Sequence, residues 1–254
     1  MEYRRLSAMP ETGIHFREHF RFCVDHDESA YARHLVDEWE AIDPAGSSIS
    51  CRQAFRVVLP VIDVPVFMPY LKTEIQSIGA ALHLRHLDSP QQLFPEFDLV
   101  VNCSGVHARS FVADEAVFPV RGQVVRVSLP AGLRHSTRLY QQDDRFTLVL
   151  PRSDDVILGG TSQSGDWDRE PRAKDTITIV ERCAELVPQI ADCKILGSAV
   201  GLRPARKAVR LELEMIKGSQ PVIHNYGHGG SGFTVAWGCA DEVLQLTNNY
   251  FADS

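Results

Sequence analysis

Between Phe97 and Gly105 the chain reads Phe-Asp-Leu-Val-Val-Asn-Cys-Ser-Gly, a nearly continuous apolar run that ends in small residues. No apolar–polar alternation marks one face for water, which is the pattern of a strand buried among parallel neighbours. Ligands collect at the carboxyl ends of such strands.

The remaining segments predict a mixture of elements. Phe16, Phe20 and Cys23, then Tyr31, Leu35, Trp39 and Ile42, recur at three- and four-residue steps, which predicts two short helices in 14–42 broken at Asp25-His26-Asp27. Residues 55–59 form a β-branched run punctuated by Pro60 and Pro65, and Met68, Leu71, Ile75, Ile78 and Leu82 carry a helical period over 68–84. Runs at 123–129, 145–150 and 156–158, separated by Pro130, Pro151 and Asp154-Asp155, predict an antiparallel sheet. A helix follows over 175–186, and 209–214 alternates as a half-buried strand. A loop at 227–232 precedes a helical stretch at 241–246. Helices with both parallel and antiparallel strands define a mixed α/β fold of the α+β kind.

A chain of 254 residues with 44% hydrophobic residues can bury a substantial core, and no window approaches the length of a membrane span. The formal charge of −7 argues against nucleic acid or an anionic membrane as partner, leaving small-molecule chemistry. Six scattered cysteines without a Cys-x-x-Cys pair suit a reducing compartment. The first residues carry no secretory pattern and the last three are not a Ser-Lys-Leu address, so the expectation is cytoplasmic, with the peroxisome as alternative.

Two constellations carry chemistry. Gly227-His228-Gly229-Gly230-Ser231-Gly232 lets backbone approach a ligand closely, and the helix start behind it attracts negative charge. On its own the run fits an ordinary turn, because the strand and βαβ context of a dinucleotide fingerprint is not legible around it. His224 and His228, beside glycines rather than on a helix, give no metal site. The second constellation places Arg203, Arg206 and Arg210 within 201–212. A guanidinium matches a carboxylate bidentately, yet Arg210, Glu212 and Glu214 alternate, and spacing alone also fits a solvated ladder.

Taken together, 201–212 and 222–240 resemble the C-terminal signature of the D-amino-acid oxidase and D-aspartate oxidase family. The resemblance continues through Val101–Val106, Arg121-Gly122-Gln123, Leu158–Thr161 and Gly165-Asp166-Trp167, covering roughly 50–250. It implies FAD as cofactor, with a D-amino acid and molecular oxygen as small-molecule partners. The products would be a 2-oxo acid, ammonia and hydrogen peroxide. By the same resemblance Arg210 is the carboxylate anchor and Gly230 the acceptor of the substrate amine. Gly229, Ser231, Gly232, Phe233 and Thr234 surround the flavin ring, while Ser104, Gly105 and Leu87 lie at the AMP half. The implied domains are interleaved: 1–66 with 118–214 as a mostly antiparallel substrate-binding domain, and 67–117 with 215–254 as a remnant FAD-binding, Rossmann-like domain.

Two departures from the family pattern follow. The opening strand, G-x-G-x-x-G turn and helix are not legible in the chain, which is therefore expected to be truncated, to hold FAD weakly and to expose a sheet edge at 99–103. A homodimer or a complementing segment would cover that edge. Leu148 stands where relatives carry a tyrosine that meets the substrate carboxylate, with Tyr140 as a candidate replacement. An inactive fragment, or a binding or regulatory module without flavin, stands beside the oxidase as an open alternative.

Overall fold

The computed structural model describes all residues except 1, 25–32, 34–35, 37, 44–50, 134–135, 143–144, 217–219 and 253–254. Its helices are α1 (Glu2–Ser7), α2 (Val64–Ser77), α3 (Ala108–Phe111), α4 (Ala173–Leu186) and α5 (Gly232–Ala252). The first strands are β1 (Ile14–Cys23), β2 (Trp39–Ile42), β3 (Gln53–Ile62), β4 (Val100–Asn102) and β5 (Phe118–Ser128). They are followed by β6 (Ser136–Gln142), β7 (Arg145–Pro151), β8 (Asp155–Gly159), β9 (Gln163–Ser164), β10 (Ile195–Ile216) and β11 (Gln220–His228). The fold is mixed α/β, as the sequence predicts. Contacts divide the chain into two units, the first comprising 1–82, 123–162 and 170–200, the second 83–122, 163–169 and 201–254. Segment 201–214, grouped by the sequence reading with the antiparallel strands, makes its contacts in the second unit.

In the first unit the strands follow the order β2-β3-β1-β6-β7-β8-β5. All neighbours are antiparallel except β1 and β6, which run parallel with His19 opposite Thr137. One face of this sheet packs on α4. Ile179, Cys183 and Leu186 recur at helical spacing and are buried against Phe22, Val125, Val127, Val149 and Leu158. Burying side chains of this size contributes roughly 1.5–3 kcal/mol each. The helix is tied to β5 through Gln123, whose Nε2 donates to the Arg172 carbonyl at 3.0 Å and to Thr176 Oγ1 at 2.8 Å. Its Oε1 accepts the Arg172 N–H at 2.8 Å, so a fully buried amide is satisfied at both ends.

The helices expected in 14–42 are corrected to strands β1 and β2. Phe16 and Phe20 are four residues apart, a step that fits both a helix turn and two strand repeats, and pairing with β3 decides for the strand. Tyr31 and Leu35 lie outside the described residues. Pro60, read as punctuation, sits inside β3, past the register with β2, which covers Ala54 to Val57. The helix expected over 68–84 is displaced toward its N-terminus as α2. Gly79, at φ 87°, follows its end, and Ile78 and Leu82 are exposed.

In the second unit β11 pairs antiparallel with β10 and parallel with β4, Val222 opposite Val100. The parallel strand expected at 97–105 is thus present in shorter form, with Val100 and Asn102 buried and Val101 41% exposed. The reading of 227–232 as a turn outside a strand context is corrected. Gly227 and His228 close strand β11, and α5 starts at Gly232, so Gly227, Gly229 and Gly232 occupy a strand–turn–helix. Gly227 at φ 91° and Gly229 at φ 55° take backbone conformations that side chains resist.

Candidate functional site

Three features of the second unit build the site. The first is a cavity of about 540 Å³ at the carboxyl end of β4, lined by residues that include Leu87, Asn102, Cys103, Ser104 and His107. The chain turns there because Gly105 adopts φ 59° and opens a short 3-10 turn into α3. The Ser104 N–H donates to Asn102 Oδ1 at 3.1 Å, while Ser104 Oγ is buried with no hydrogen-bond partner. Such an orphaned hydroxyl is costly unless a ligand atom meets it. Leu87 and Ser104, both predicted for the AMP half, share this cavity, and Gly105 shapes its turn.

The second feature is Arg203. A methyl on Gly122 would overlap its guanidinium, and one on Gly230 would lie 3.5 Å from its Cδ and 3.8 Å from its Nε. Two bare backbones therefore bracket this side chain. Burial pulls the Arg203 pKa below its ordinary value, a cost that an anionic ligand would relieve. Behind Gly230, Ser231 donates its N–H to the His228 carbonyl and accepts from Val235, so α5 begins here. The first backbone N–H groups of this 21-residue helix, including those of Gly232 and Thr234, lie beyond the reach of the helix's own carbonyls.

The third feature is a polar network that contains Arg210. Its Nε donates to Glu212 at 2.7 Å, its Nη2 to Glu214 at 2.9 Å and its Nη1 to the Tyr226 hydroxyl at 2.9 Å. Tyr226 donates in turn to Asp114 at 2.8 Å, and Arg206 reaches the same carboxylate at 3.1 Å. Although burial opposes it, the Tyr226 hydroxyl, the Ala116 N–H and Arg206 hold the Asp114 carboxyl below the usual range. Burial raises the Tyr226 pKa to about 12. Despite its own burial, Arg210 is held more firmly protonated by Glu212 and Tyr226. The network continues through Glu214 to His224 Nε2 at 2.8 Å and from His224 Nδ1 to Asn102 Nδ2 at 3.2 Å.

The structure thus sets Arg203 beside Gly230 and engages Arg210 with two carboxylates and a phenol. Sequence reasoning left Arg203 as one of three arginines in 201–212, weighed His224 only as a metal ligand, and missed Asn102 and Asp114. The legible signal was the alternation of Arg210 with Glu212 and Glu214, which Arg203 lacks. In the first unit Leu148 lies against Gly159, where a methyl would meet its Cβ at 3.3 Å. Tyr140 packs instead with the core on α4, on the opposite face of the sheet, so it does not replace the missing tyrosine. Among the described residues no cluster of metal-ligating side chains occurs, and no helix is long and apolar enough to cross a membrane.

A strand–glycine turn–helix beside a parallel strand, with a cavity at that strand's end, defines a nucleotide-cofactor enzyme. A family profile described as "FAD dependent oxidoreductase" matches residues 37–246. A D-amino-acid oxidase of Rubrobacter xylanophilus is 38% identical over 96% of this chain and 75% of its own length. The D-aspartate oxidase of Homo sapiens is 38% identical over 73% of this chain and 54% of its own. Glycine oxidase from Geobacillus kaustophilus shares the fold, with a TM-score of 0.79 at 18% identity over 98% of this chain and 75% of that one. The chain belongs to the FAD-dependent oxidoreductase family, among relatives named D-amino-acid and D-aspartate oxidases. It is a flavin oxidoreductase, and the unpartnered Ser104 hydroxyl in its cavity fits the family's FAD.

Proposed function

We propose that the protein oxidises neutral D-amino acids to 2-oxo acids, with ammonia and hydrogen peroxide as the other products, and that Arg203 rather than Arg210 anchors the substrate carboxylate. The observation that carries this reading is the placement of the Arg203 fork against Gly122 and Gly230. Arg203 holds the carboxylate and the Gly230 carbonyl accepts from the ammonium, so the two ends of one zwitterion are fixed and the α-hydrogen is oriented. Recruiting Arg210 would require breaking its bonds to Glu212 and Glu214, which favours leaving it in place. Leu87, Ser104 and Gly105 hold the AMP half of FAD, and Gly229, Ser231, Gly232, Phe233 and Thr234 border its flavin ring. There the helix start favours negative charge. When bound, FAD supplies the two-electron oxidation and passes the electrons to oxygen. The substrate-binding domain is taken to be the one built on the antiparallel strands, with segment 201–214 assigned to the FAD-binding side. By the family resemblance Leu148 replaces a tyrosine that meets the substrate, and its apolar side chain supports neutral over acidic substrates.

Peroxide release from D-alanine and D-aspartate, measured with FAD added, tests the activity; faster turnover of D-aspartate would reverse the substrate assignment. Arg203→Ala is expected to lower kcat/KM by roughly a hundredfold, about 3 kcal/mol of transition-state binding. An Arg203→Ala protein with unchanged kcat/KM, beside an Arg210→Ala protein that folds but is inactive, would return the anchor to Arg210.

A further inference from the structure

The hydrogen bonds around His224 define a direction. Asn102 Oδ1 already accepts from the Ser104 N–H, so the atom facing His224 Nδ1 at 3.2 Å is the amide nitrogen, a donor. Nδ1 must then accept, which leaves the single ring proton on Nε2, where it donates to Glu214 Oε2 at 2.8 Å. Glu214 is itself held by Arg210, and the His224 and Tyr226 rings stand nearly perpendicular with their centroids 5.6 Å apart. His224 and Asn102 are 0% and 2% exposed, so their mutual bond is shielded from water, while Glu214 reaches His224 from the exposed side.

We propose that Asn102, His224 and Glu214 form a positioning relay that presets the Ser104 turn for the adenylate half of the cofactor. The relay runs from β10 across β11 to the end of β4, and its last bond fixes the backbone whose Ser104 hydroxyl is unpartnered in the cavity. None of the three side chains needs to touch the ligand. Arg210 acquires a role here as the cation that fixes Glu214. The ligand end of the relay rests on the FAD reading of that cavity.

Two measurements separate the relay from that reading. In the full chain at pH 7, ring-nitrogen NMR of His224 is expected to show one proton, on Nε2. Calorimetric titration with AMP is expected to show affinity about tenfold weaker in Asn102→Ala, which removes the acceptor of the Ser104 N–H. Asn102→Asp keeps that acceptor and offers His224 Nδ1 a carboxylate. It should bind AMP within about threefold of the unmodified chain while His224 becomes doubly protonated at pH 7. An unmodified chain with the proton on Nδ1, or Asn102→Ala that binds AMP as tightly as the unmodified chain, would overturn the relay. Failure of the unmodified chain to take AMP, with the Nε2 proton in place, would sink the cofactor reading of the cavity and the relay's ligand end with it.

Discussion

His19 stands on β1 opposite Thr137 of β6, and the ring Nε2 and the Thr137 hydroxyl are both buried without a hydrogen-bond partner. Burial, reinforced by Arg21 and Arg17, depresses the His19 pKa from 6.5 to about 4. The folded state resists a proton that the unfolded chain accepts below its ordinary value, so this contribution is complete above pH 6.5 and is lost as pH falls toward 4. Unfolding free energies from urea titration should therefore drop across that window by on the order of 3 kcal/mol, and His19→Gln should flatten the drop. Gly122→Ala tests the Arg203 assignment from the other side. Its methyl pushes the flexible guanidinium aside, so kcat/KM should fall while the melting temperature holds within a few degrees. An unchanged kcat/KM would show that Arg203 is not needed in that position. At this scale the grouping of Leu87 with Ser104, which share one cavity, was legible through the family resemblance. The choice between Arg203 and Arg210 was not, because spacing does not show whether an arginine's neighbouring carboxylates fold back onto it.

Strands β5, β7 and β8 and helix α4 were legible because each carries one unambiguous period, bounded by proline or acidic turns. β1 was not, since its phenylalanines sit at a spacing common to strand and helix. β11 was missed for a different reason. Its inward positions include His224 and Tyr226, polar groups whose burial depends on partners from β10, β4 and the loop after α3. No local pattern contains those partners. The element-level prediction concerns α4: Ile179→Ala, deleting a fully buried side chain of the core, should cost about 2–5 kcal/mol in urea unfolding. A cost under 1 kcal/mol would mean that α4 is not held by that face. Thr137→Val, which removes a buried unpartnered hydroxyl at constant shape, should be neutral or slightly stabilising.

Taken whole, the second unit leaves Leu84, Phe97, Val101, Leu244 and Phe251 more than 40% exposed, with values from 41% to 108%. Apolar surface on this scale binds hydrophobic dyes. The native chain should therefore enhance the fluorescence of an apolar reporter. Leu244→Lys should reduce that signal while changing stability by less than about 0.5 kcal/mol. Equal dye binding in both would place the apolar surface elsewhere. The interleaved order of the two units has a consequence for descent. The chain passes from one unit to the other five times, at 82/83, 122/123, 162/163, 169/170 and 200/201. A gene rearrangement that exchanged the first unit for another would have to place all five junctions correctly, with two of them close to or within β5 and β10. Block exchange is closed to such a chain, and change is left to replacements of single residues within each unit.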